Sequence, residues 1–149
     1  MRALIQRVKR GAVSIDNQVH SSIGTGIVIL LGVKEGDKES DAEYLAQRCA
    51  NLRIFEDSDE KMNFSLLDIS GSALVVSQFT LYGDTRKGNR PSYTEAAKPE
   101  AAEKLYEKFC SCLKALIGDS KVSTGVFRAM MVVEIINDGP VTVMVESKN

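Results

Sequence analysis

Ala73-Leu-Val-Val-Ser-Gln-Phe-Thr-Leu81 is the stretch of this chain that decides its fold most clearly. Its apolar and β-branched residues lie between Gly71 and Gly83. This pattern is typical of a strand that is covered on both faces. Ser77, Gln78 and Thr80 interrupt the apolar run near its end. A buried polar group without a partner costs about 1–3 kcal/mol, so these side chains are paired in the core or meet a ligand in a cleft. Three of them within four positions favour the cleft.

The remaining periodicities predict further strands and two helices. Strands are predicted at residues 4–15, 18–23, 27–31, 52–55, 130–136 and 141–145, with a hairpin turn at Asp16-Asn17 and polar loops at 56–63 and 82–98. Ser40-Asp-Ala-Glu43 matches a capping box and predicts a helix of about eleven residues. Pro99 predicts the first turn of a second helix, which stops at Gly118. We expect one α+β domain over residues 1–149, with a largely antiparallel or mixed, barrel-like β-sheet and about two helices.

Length and composition fit a single globular domain with a substantial core. The chain has 149 residues, of which 44% are hydrophobic and 26% charged, and its longest apolar run covers residues 26–33. A membrane-spanning helix needs about twenty apolar residues. Charges in the segment Met1-Arg-Ala-Leu-Ile-Gln-Arg-Val8 occupy the place of a signal peptide's apolar region. The expected location is therefore the cytoplasm.

The cysteines and the histidine argue against a disulfide framework and a metal site. Cys49, Cys110 and Cys112 are odd in number, and residues two apart on a helix point away from each other. His20 is the single histidine, so a zinc site would need carboxylates to complete it. We expect reduced structural thiols, no metal and no cofactor.

Charge is balanced overall but clustered locally. The net charge of −1 gives no general attraction to nucleic acid. Basic residues instead gather in the first strand and in the loop after the polar strand: Arg2, Arg7, Lys9, Arg10, Arg86, Lys87, Arg90 and Lys98. Such clusters are usually solvated surface, but a basic loop beside a cleft could hold a phosphate chain.

Asn137-Asp-Gly-Pro140 is the second candidate for a site. As a tetrapeptide it predicts a tight turn that joins the last two strands as a hairpin. However, Gly139 has no Cβ, so other groups can approach its backbone closely, and Pro140 removes a backbone donor. If the Gly139–Pro140 bond is cis, two carbonyls can point the same way and accept hydrogen bonds from a ligand amine.

Ser77-Gln-Phe-Thr-Leu81 and Asn137-Asp-Gly-Pro-Val-Thr142 together resemble the motifs of the D-aminoacyl-tRNA deacylases, also called D-tyrosyl-tRNA deacylases. Further agreement is found at Arg7-Val8, Gly88-Asn-Arg-Pro-Ser-Tyr93 and Thr124-Gly-Val-Phe-Arg-Ala-Met130. The resemblance extends from Met1 to about Glu146 and leaves no room for a further domain.

The resemblance implies an enzyme that hydrolyses the ester of a tRNA carrying a D-amino acid or glycine, which recycles the tRNA and keeps D-residues out of protein synthesis. It also implies a homodimer with sites at the subunit interface, where the Ser77-Gln-Phe-Thr80 strand of one copy meets the Gly139–Pro140 turn of the other. An L side chain would strike that turn, so rejection by a clash would apply to many amino acids at once.

The resemblance also assigns roles to individual residues. The implied catalytic residues are Ser77, Gln78, Phe79 and Thr80. The implied substrate-binding residues are Gly139 and Pro140. Phe127 and Met130 could form the walls of a pocket for the terminal adenosine by stacking, although an aromatic residue before a strand more often belongs to the core. The residues predicted to contact tRNA phosphates are Arg86, Lys87 and Arg90.

Two catalytic schemes remain open. The single histidine is distant in sequence from both motifs, which argues against a Ser-His-Asp triad, and no ligand set for a metal-bound hydroxide is present. In one scheme the Thr80 hydroxyl attacks the ester carbonyl, although no base is obvious nearby. In the other, which we favour, Thr80 positions the ester, backbone amides around Phe79 and Thr80 stabilise the oxyanion, and the adjacent ribose hydroxyl activates water.

Two other functions stay open on the sequence alone. One is a hydrolase of another small ester or amide that uses the same strand. The other is a non-catalytic RNA- or metabolite-binding module in which the polar strand only binds. Turnover of D-tyrosyl-tRNA without turnover of the L-form favours the deacylase, whereas binding without turnover favours the module.

Overall fold

The computed structural model describes residues 1–147, and within them it contains two α-helices and a six-stranded mixed sheet. The strands are β1 (Arg2–Ile15), β2 (Gln18–Ile23), β3 (Gly26–Gly32), β4 (Phe55–Glu56), β5 (Met62–Phe64), β6 (Ser72–Ser77), β7 (Val122–Thr124) and β8 (Val132–Glu146). The helices are α1 (Glu39–Asn51) and α2 (Pro99–Ile117), and short 3₁₀ turns cover Phe79–Tyr82 and Asp119–Lys121. Within residues 1–147, neither α-helix is long and apolar enough to cross a bilayer.

β1 is the centre of the sheet. One of its edges pairs antiparallel with β8 along almost its whole length, and the other pairs with β3 up to Val8 and with β2 from Gly11. β3, β6 and β7 then run parallel to one another. The Ser21 hydroxyl of β2 donates to the Thr124 carbonyl of β7 (2.7 Å), which brings the far strands together and nearly closes a barrel. The predicted α+β class, with a barrel-like mixed sheet and two helices, is confirmed.

Two apolar cores hold this arrangement. The larger lies between the sheet and the two helices and includes Ile27, Ile29, Leu45, Phe109 and Leu113. The smaller fills the inside of the barrel and includes Val8, Val13, Ile23, Val28, Leu74 and Val76. Neighbouring residues of β3 and of β6 therefore enter different cores. Both strands are covered on both faces, as their continuous apolar sequence indicates.

The polar strand ends earlier than predicted. β6 stops at Ser77, and the chain then turns at Phe79–Tyr82 instead of continuing as a strand to Leu81. The turn packs against the end of β3, where a Cβ on Gly32 would lie only 3.2 Å from the Gln78 carbonyl oxygen. A glycine therefore suits this close approach, since a Cβ would push its neighbours away by a few tenths of an ångström. The polar residues interrupt the apolar run because they belong to the end of the strand.

The segment at residues 138–141 is a bulge in β8, and the predicted hairpin turn is wrong. Val8 pairs with Asn137 and Gln6 pairs with Thr142, both antiparallel, so β8 continues along the same partner strand. The predicted strands at 130–136 and 141–145 are thus parts of one strand, Val132–Glu146. A reversing turn would have paired the two halves with each other. We call residues 138–141 the β8 bulge.

The start of α1 also differs from its prediction. The helix begins at Glu39, and the Lys38 N–H donates to Asp41 Oδ2 (2.8 Å). Ser40 lies inside the first turn, and Glu43 pairs with Lys108 of α2 (3.0 Å). The predicted capping box is wrong because the carboxylate of Asp41, two residues before Glu43, caps the helix.

The hairpin predicted at Asp16-Asn17 is confirmed, whereas the strand predicted at residues 52–55 is shifted and belongs to a second hairpin. Asp16 and Asn17 both have positive φ values (50° and 62°), which suits the two-residue turn between β1 and β2. The strand predicted at residues 52–55 appears as Phe55–Glu56, and it pairs with Met62–Phe64 from the predicted polar loop. The Asp57 carboxylate closes this hairpin by accepting backbone and side-chain hydrogen bonds, which hold its pKa below the usual range.

Candidate active site

Ser77, Gln78 and Thr80 lie at an edge of the sheet where three parallel strands end. β3, β6 and β7 run parallel, so their carboxyl ends share this edge. Ser77 is the last residue of β6, and the Gln78 N–H donates to the Leu31 carbonyl of β3 (2.8 Å). The carboxyl edge of a parallel sheet is where ligands commonly bind. The predicted polar residues are thus together at a position that suits a site.

Phe79–Tyr82 forms the 3₁₀ turn that carries Thr80, and we call it the Thr80 turn. Its first hydrogen bond runs from the Leu81 N–H to the Gln78 carbonyl (3.3 Å). The N–H groups of Phe79 and Thr80 precede that bond and are not used within the turn. Both residues are exposed. Two adjacent N–H groups beside an exposed hydroxyl suit the binding of a developing negative charge.

The Thr80 hydroxyl accepts a hydrogen bond from Gln78 Nε2. Because the amide is the donor, the hydroxyl keeps its own proton for another acceptor. The amide nitrogen cannot remove that proton, so this contact does not make Thr80 a nucleophile. The geometry therefore favours a positioning role for Thr80 over covalent attack.

The Thr80 turn is also held from the side of the polar loop. The Phe79 ring meets the Tyr93 ring edge to face, with 5.1 Å between the centroids. Gly83 lies close to the same ring, since a Cβ there would be 3.0 Å from Tyr93 Cε1. Tyr93, which the sequence singled out only as part of a motif, thus packs the loop against the turn.

The second predicted segment, Gly139–Pro140, lies exposed in the β8 bulge, and its peptide bond is cis. Arg7 of β1 holds the bulge through contacts with Asp138. Its Nε donates to the Asp138 carbonyl (3.0 Å) and lies 3.3 Å from the Asp138 carboxylate, while Nη1 donates to the buried Ile54 carbonyl (2.7 Å). Arg7 is only 6% exposed, so its charge is satisfied by these partners rather than by water.

Asn137 fixes the bulge from within β8. Its Nδ2 donates to the Arg7 carbonyl (3.0 Å) and to the Val141 carbonyl (3.2 Å), which closes the two ends of the bulge. Sequence reasoning missed both supports. The available signal was the charge of Arg7 in an alternating series whose other members, Ala3 and Ile5, are apolar and buried.

The Thr80 turn and the β8 bulge do not meet within one chain. Ser77 pairs with Leu31 of β3, and Leu31 in turn pairs with Ala3 of β1. The bulge lies on the other edge of β1, opposite Gln6 and Val8. Three strand spacings and about four residues separate them, roughly 20 Å along the sheet.

A cavity of about 630 Å³ lies between α2 and the segment that follows β7. Its walls include Thr124, Gly125, Phe127, Tyr106 and Cys110. The Phe127 ring lies 5.8 Å from that of Tyr106, whose hydroxyl donates to the Val75 carbonyl of β6 (2.9 Å). Burial raises the pKa of Tyr106 and raises that of Cys110 to about 11, so both are neutral near pH 7. Because Gly125 N–H donates to the Val75 carbonyl (3.1 Å), the cavity lies close to the carboxyl edge of the sheet.

Met130 is placed differently from Phe127. It is 91% exposed and is not among the residues of the cavity wall, whereas the neighbouring Met131 packs on the barrel core. The two residues predicted for one pocket are therefore not brought together in a single chain.

The three predicted phosphate contacts, Arg86, Lys87 and Arg90, are all exposed. Arg86 forms two side-chain hydrogen bonds with the Asp84 carboxylate (2.8 and 2.7 Å), which hold the pKa of that carboxyl well below its usual range. Part of the positive charge of this loop is thus balanced locally.

Other reactive groups lie away from these segments. His20 is exposed on β2. Cys49 and Cys110 are buried, and burial raises the pKa of Cys49 to about 12. Over the described range 1–147, no three His, Cys, Asp or Glu side chains are grouped as a metal site requires.

Residues 4–146 match the family model described as D-Tyr-tRNA(Tyr) deacylase. A D-aminoacyl-tRNA deacylase of Carboxydothermus hydrogenoformans is 57% identical over 98% of this chain and 99% of its own length. One of Koribacter versatilis is 53% identical over 99% of this chain and 98% of its own. The chain therefore belongs to the D-Tyr-tRNA(Tyr) deacylase family.

Solved structures agree in fold. A structure titled c-Myc DNA Unwinding Element Binding Protein superposes with a TM-score of 0.95 at 39% identity, covering 100% of both chains. A probable eukaryotic D-amino acid tRNA deacylase superposes with a TM-score of 0.80 at 20% identity, covering 97% of this chain and 98% of that one. The predicted family and the predicted class of enzyme, a hydrolase acting on aminoacyl-tRNA, are confirmed.

Proposed function

We propose that this chain hydrolyses the ester between a D-amino acid, or glycine, and the terminal adenosine of tRNA, and that the reaction takes place at the Thr80 turn. The observation that carries this proposal is the exposed Thr80 hydroxyl beside two N–H groups that the turn itself does not use. We also propose that residues 1–149 act as one domain and that the enzyme works in the cytoplasm on tRNA.

In the proposed reaction, the ester carbonyl oxygen accepts hydrogen bonds from the Phe79 and Thr80 N–H groups. Water attacks the carbonyl carbon, and the ribose hydroxyl next to the ester activates that water. The bond from the carbonyl carbon to the ribose oxygen breaks, and the proton from water ends on the departing oxygen. Donors that are already oriented stabilise the oxyanion without reorganisation, and removing one such donor typically costs about 10²–10³ in rate.

The cavity between α2 and the segment that follows β7 offers a place for the terminal adenosine. Its volume of about 630 Å³ lies in the range of small-molecule sites. Phe127 offers an aromatic ring on which a base can stack. Met130 is exposed and is not part of the wall of this cavity.

We further propose that a second copy of the chain completes the site with its β8 bulge. The separation of the Thr80 turn from the bulge within one chain supports this arrangement. Apolar side chains exposed on β8 and just before it also support a contact with another copy: Met130, Val132, Ile136 and Met144 are 91%, 71%, 47% and 45% exposed. The backbone of Gly139 and Pro140 would hold the substrate amine, and an L side chain would clash with it.

The test compares D- and L-tyrosyl-tRNA as substrates for the wild type and for Thr80→Ala. The wild type should hydrolyse the D-ester alone. Thr80→Ala should lose at least about tenfold in kcat, since a hydrogen bond to the reacting ester is removed. Its melting temperature should stay the same because Thr80 is exposed. Wild-type rates in Thr80→Ala contradict the site, and binding of tRNA or DNA without turnover contradicts the enzyme.

A further inference from the structure

Arg2, at the start of β1, touches the Thr80 turn from the side opposite the polar loop. Its Nη1 donates to the Leu81 carbonyl (3.0 Å), and its guanidinium lies over the Tyr82 ring, 4.6 Å from the centroid. Its Nε is bonded to the Glu146 carboxylate at the end of β8. One side chain therefore ties two residues of the turn to the ends of two strands.

Tyr82 gives this contact a rigid base. The residue is 4% exposed, and burial raises the pKa of its hydroxyl, so the ring stays neutral. A cation over the face of an aromatic ring is attracted by the ring quadrupole. The guanidinium is planar, so it can stack on Tyr82 while its edge donates to Leu81 and Glu146.

The contact with Leu81 acts on the orientation of the turn. A 3₁₀ turn of four residues has few internal hydrogen bonds, so its direction depends on what holds its ends. One end is fixed by the Gln78 N–H bond to β3. The Arg2 bond to the Leu81 carbonyl holds the other end, two residues after Phe79 and one after Thr80.

Arg10 provides a matched comparison on the same pair of strands. Its Nε lies 3.2 Å from the Glu134 carboxylate of β8, and the two side chains are 50% and 45% exposed. The Arg2 and Glu146 side chains are 36% and 53% exposed. The two ion pairs are alike in position and exposure, and exposed ion pairs contribute little to stability. Arg2 differs by its contacts with the Thr80 turn.

We infer that Arg2 is a positioning residue for ester hydrolysis, because it fixes the turn whose Phe79 and Thr80 N–H groups receive the oxyanion. This inference rests on the proposed site. Arg2 touches neither the substrate nor the reacting atoms. It acts through the direction in which the turn presents its donors, and a misplacement of about 1 Å can cost on the order of 10²-fold in rate.

The experiment measures kcat and KM on D-tyrosyl-tRNA for Arg2→Met, Arg2→Lys, Glu146→Gln and the control Arg10→Met. Arg2→Met keeps an apolar stem over Tyr82 and removes the donors. It should lose about tenfold to a hundredfold in kcat with KM unchanged. Arg2→Lys keeps a cation and a donor, so its kcat should lie between those of Arg2→Met and the wild type. Glu146→Gln and Arg10→Met should retain wild-type kcat because the contacts with the turn remain.

Amide hydrogen exchange supplies the readout that a general loss of stability would not give. In Arg2→Met, exchange should accelerate at the Leu81 and Gly83 amides, which donate hydrogen bonds within the turn, and stay unchanged at the paired amides of β1 and β8. The inference is overturned if Arg2→Met has the kcat of Arg10→Met, if Glu146→Gln loses as much rate as Arg2→Met, or if exchange rises equally across the sheet.

Thr80→Ala separates this inference from the proposed site. If Thr80→Ala loses activity while Arg2→Met does not, the site stands and the role of Arg2 is refuted. If Thr80→Ala keeps the wild-type rate, the proposed site fails, and with it the reason to expect any effect of Arg2.

Discussion

Replacing Arg7 by methionine tests how the β8 bulge is held. Arg7 is 6% exposed and donates to the carbonyls of Ile54 (2.7 Å) and Asp138 (3.0 Å). Hydrogen bonds to a charged group contribute about 1.5–3 kcal/mol each. Its ion pairs add little, since the side chains of Asp138 and Glu56 are 38% and 52% exposed. Arg7→Met should therefore lower the free energy of unfolding by about 3 kcal/mol, near the low end for two such bonds.

The assay is urea unfolding of Arg7→Met beside Arg10→Met. Arg10 makes an exposed ion pair with Glu134 on the same two strands, and its removal should cost less than about 1 kcal/mol. Both variants should unfold with the wild-type m-value, so that a shift of the urea midpoint reports a change in the free energy of unfolding. A loss in Arg7→Met no greater than that in Arg10→Met would refute the role of Arg7 as the support of the bulge.

The same variant carries a consequence for selectivity. A domain of this size has about 5–15 kcal/mol of stability, so Arg7→Met should remain folded. If the bulge excludes L side chains, its loosening should reduce the ratio of D- to L-tyrosyl-tRNA hydrolysis more than it reduces the rate on the D-ester. An unchanged ratio in a measurably destabilised Arg7→Met protein contradicts the selective role of the bulge.

Two further predictions concern the surface and the core. Replacing Arg86, Lys87 and Arg90 by serine should raise KM and flatten the salt dependence of tRNA binding without altering the D-over-L ratio; a changed ratio at unchanged affinity would place this loop in the amino-acid pocket instead. Burial raises the pKa of Cys49 to about 12 from 9.0, so the folded state holds this proton more tightly and the free energy of unfolding should fall as pH rises through that interval. Urea unfolding between pH 8 and about 11 should show a shallower fall for Cys49→Ala than for the wild type, and equal slopes would contradict the assignment.

The sequence predicts the elements of this fold better than their ends. Apolar periodicity identifies β1, β3, β6 and α2, because the spacing of apolar residues along the chain reflects which faces of an element are buried. The end of β6 at Ser77 is not visible in that pattern, since it depends on the close approach of the chain to Gly32 of another strand. The β8 bulge looks like a hairpin turn because Asn-Asp-Gly-Pro has turn chemistry, whereas its path is set by pairing with β1.

In the candidate site, too, only some of the residues are recognisable from the sequence. Ser77, Gln78 and Thr80 are recognisable because polar residues at the end of an apolar strand need partners. The supports of the site are not recognisable in this way. Arg2, Arg7 and Tyr93 come from distant parts of the chain, and only the tertiary structure shows that they contact the Thr80 turn or the bulge.

The proposal that two copies share each site is tested most directly by a mixed dimer. One copy carries Thr80→Ala, and the other carries Gly139→Val, whose added side chain would crowd Asn137 Oδ1 within the bulge, 2.8 Å from the position of a Cβ. The two copies bear different affinity tags, so the heterodimer can be purified from both homodimers. Each homodimer should lose at least about tenfold in kcat on D-tyrosyl-tRNA.

In the heterodimer, a shared site brings both lesions together in one site and leaves the other intact. The purified heterodimer should then show about half of the wild-type rate, since one of its two sites is complete. If each site were built within a single chain, every site would carry one lesion, and the heterodimer would be as impaired as the homodimers. That result would contradict the shared site.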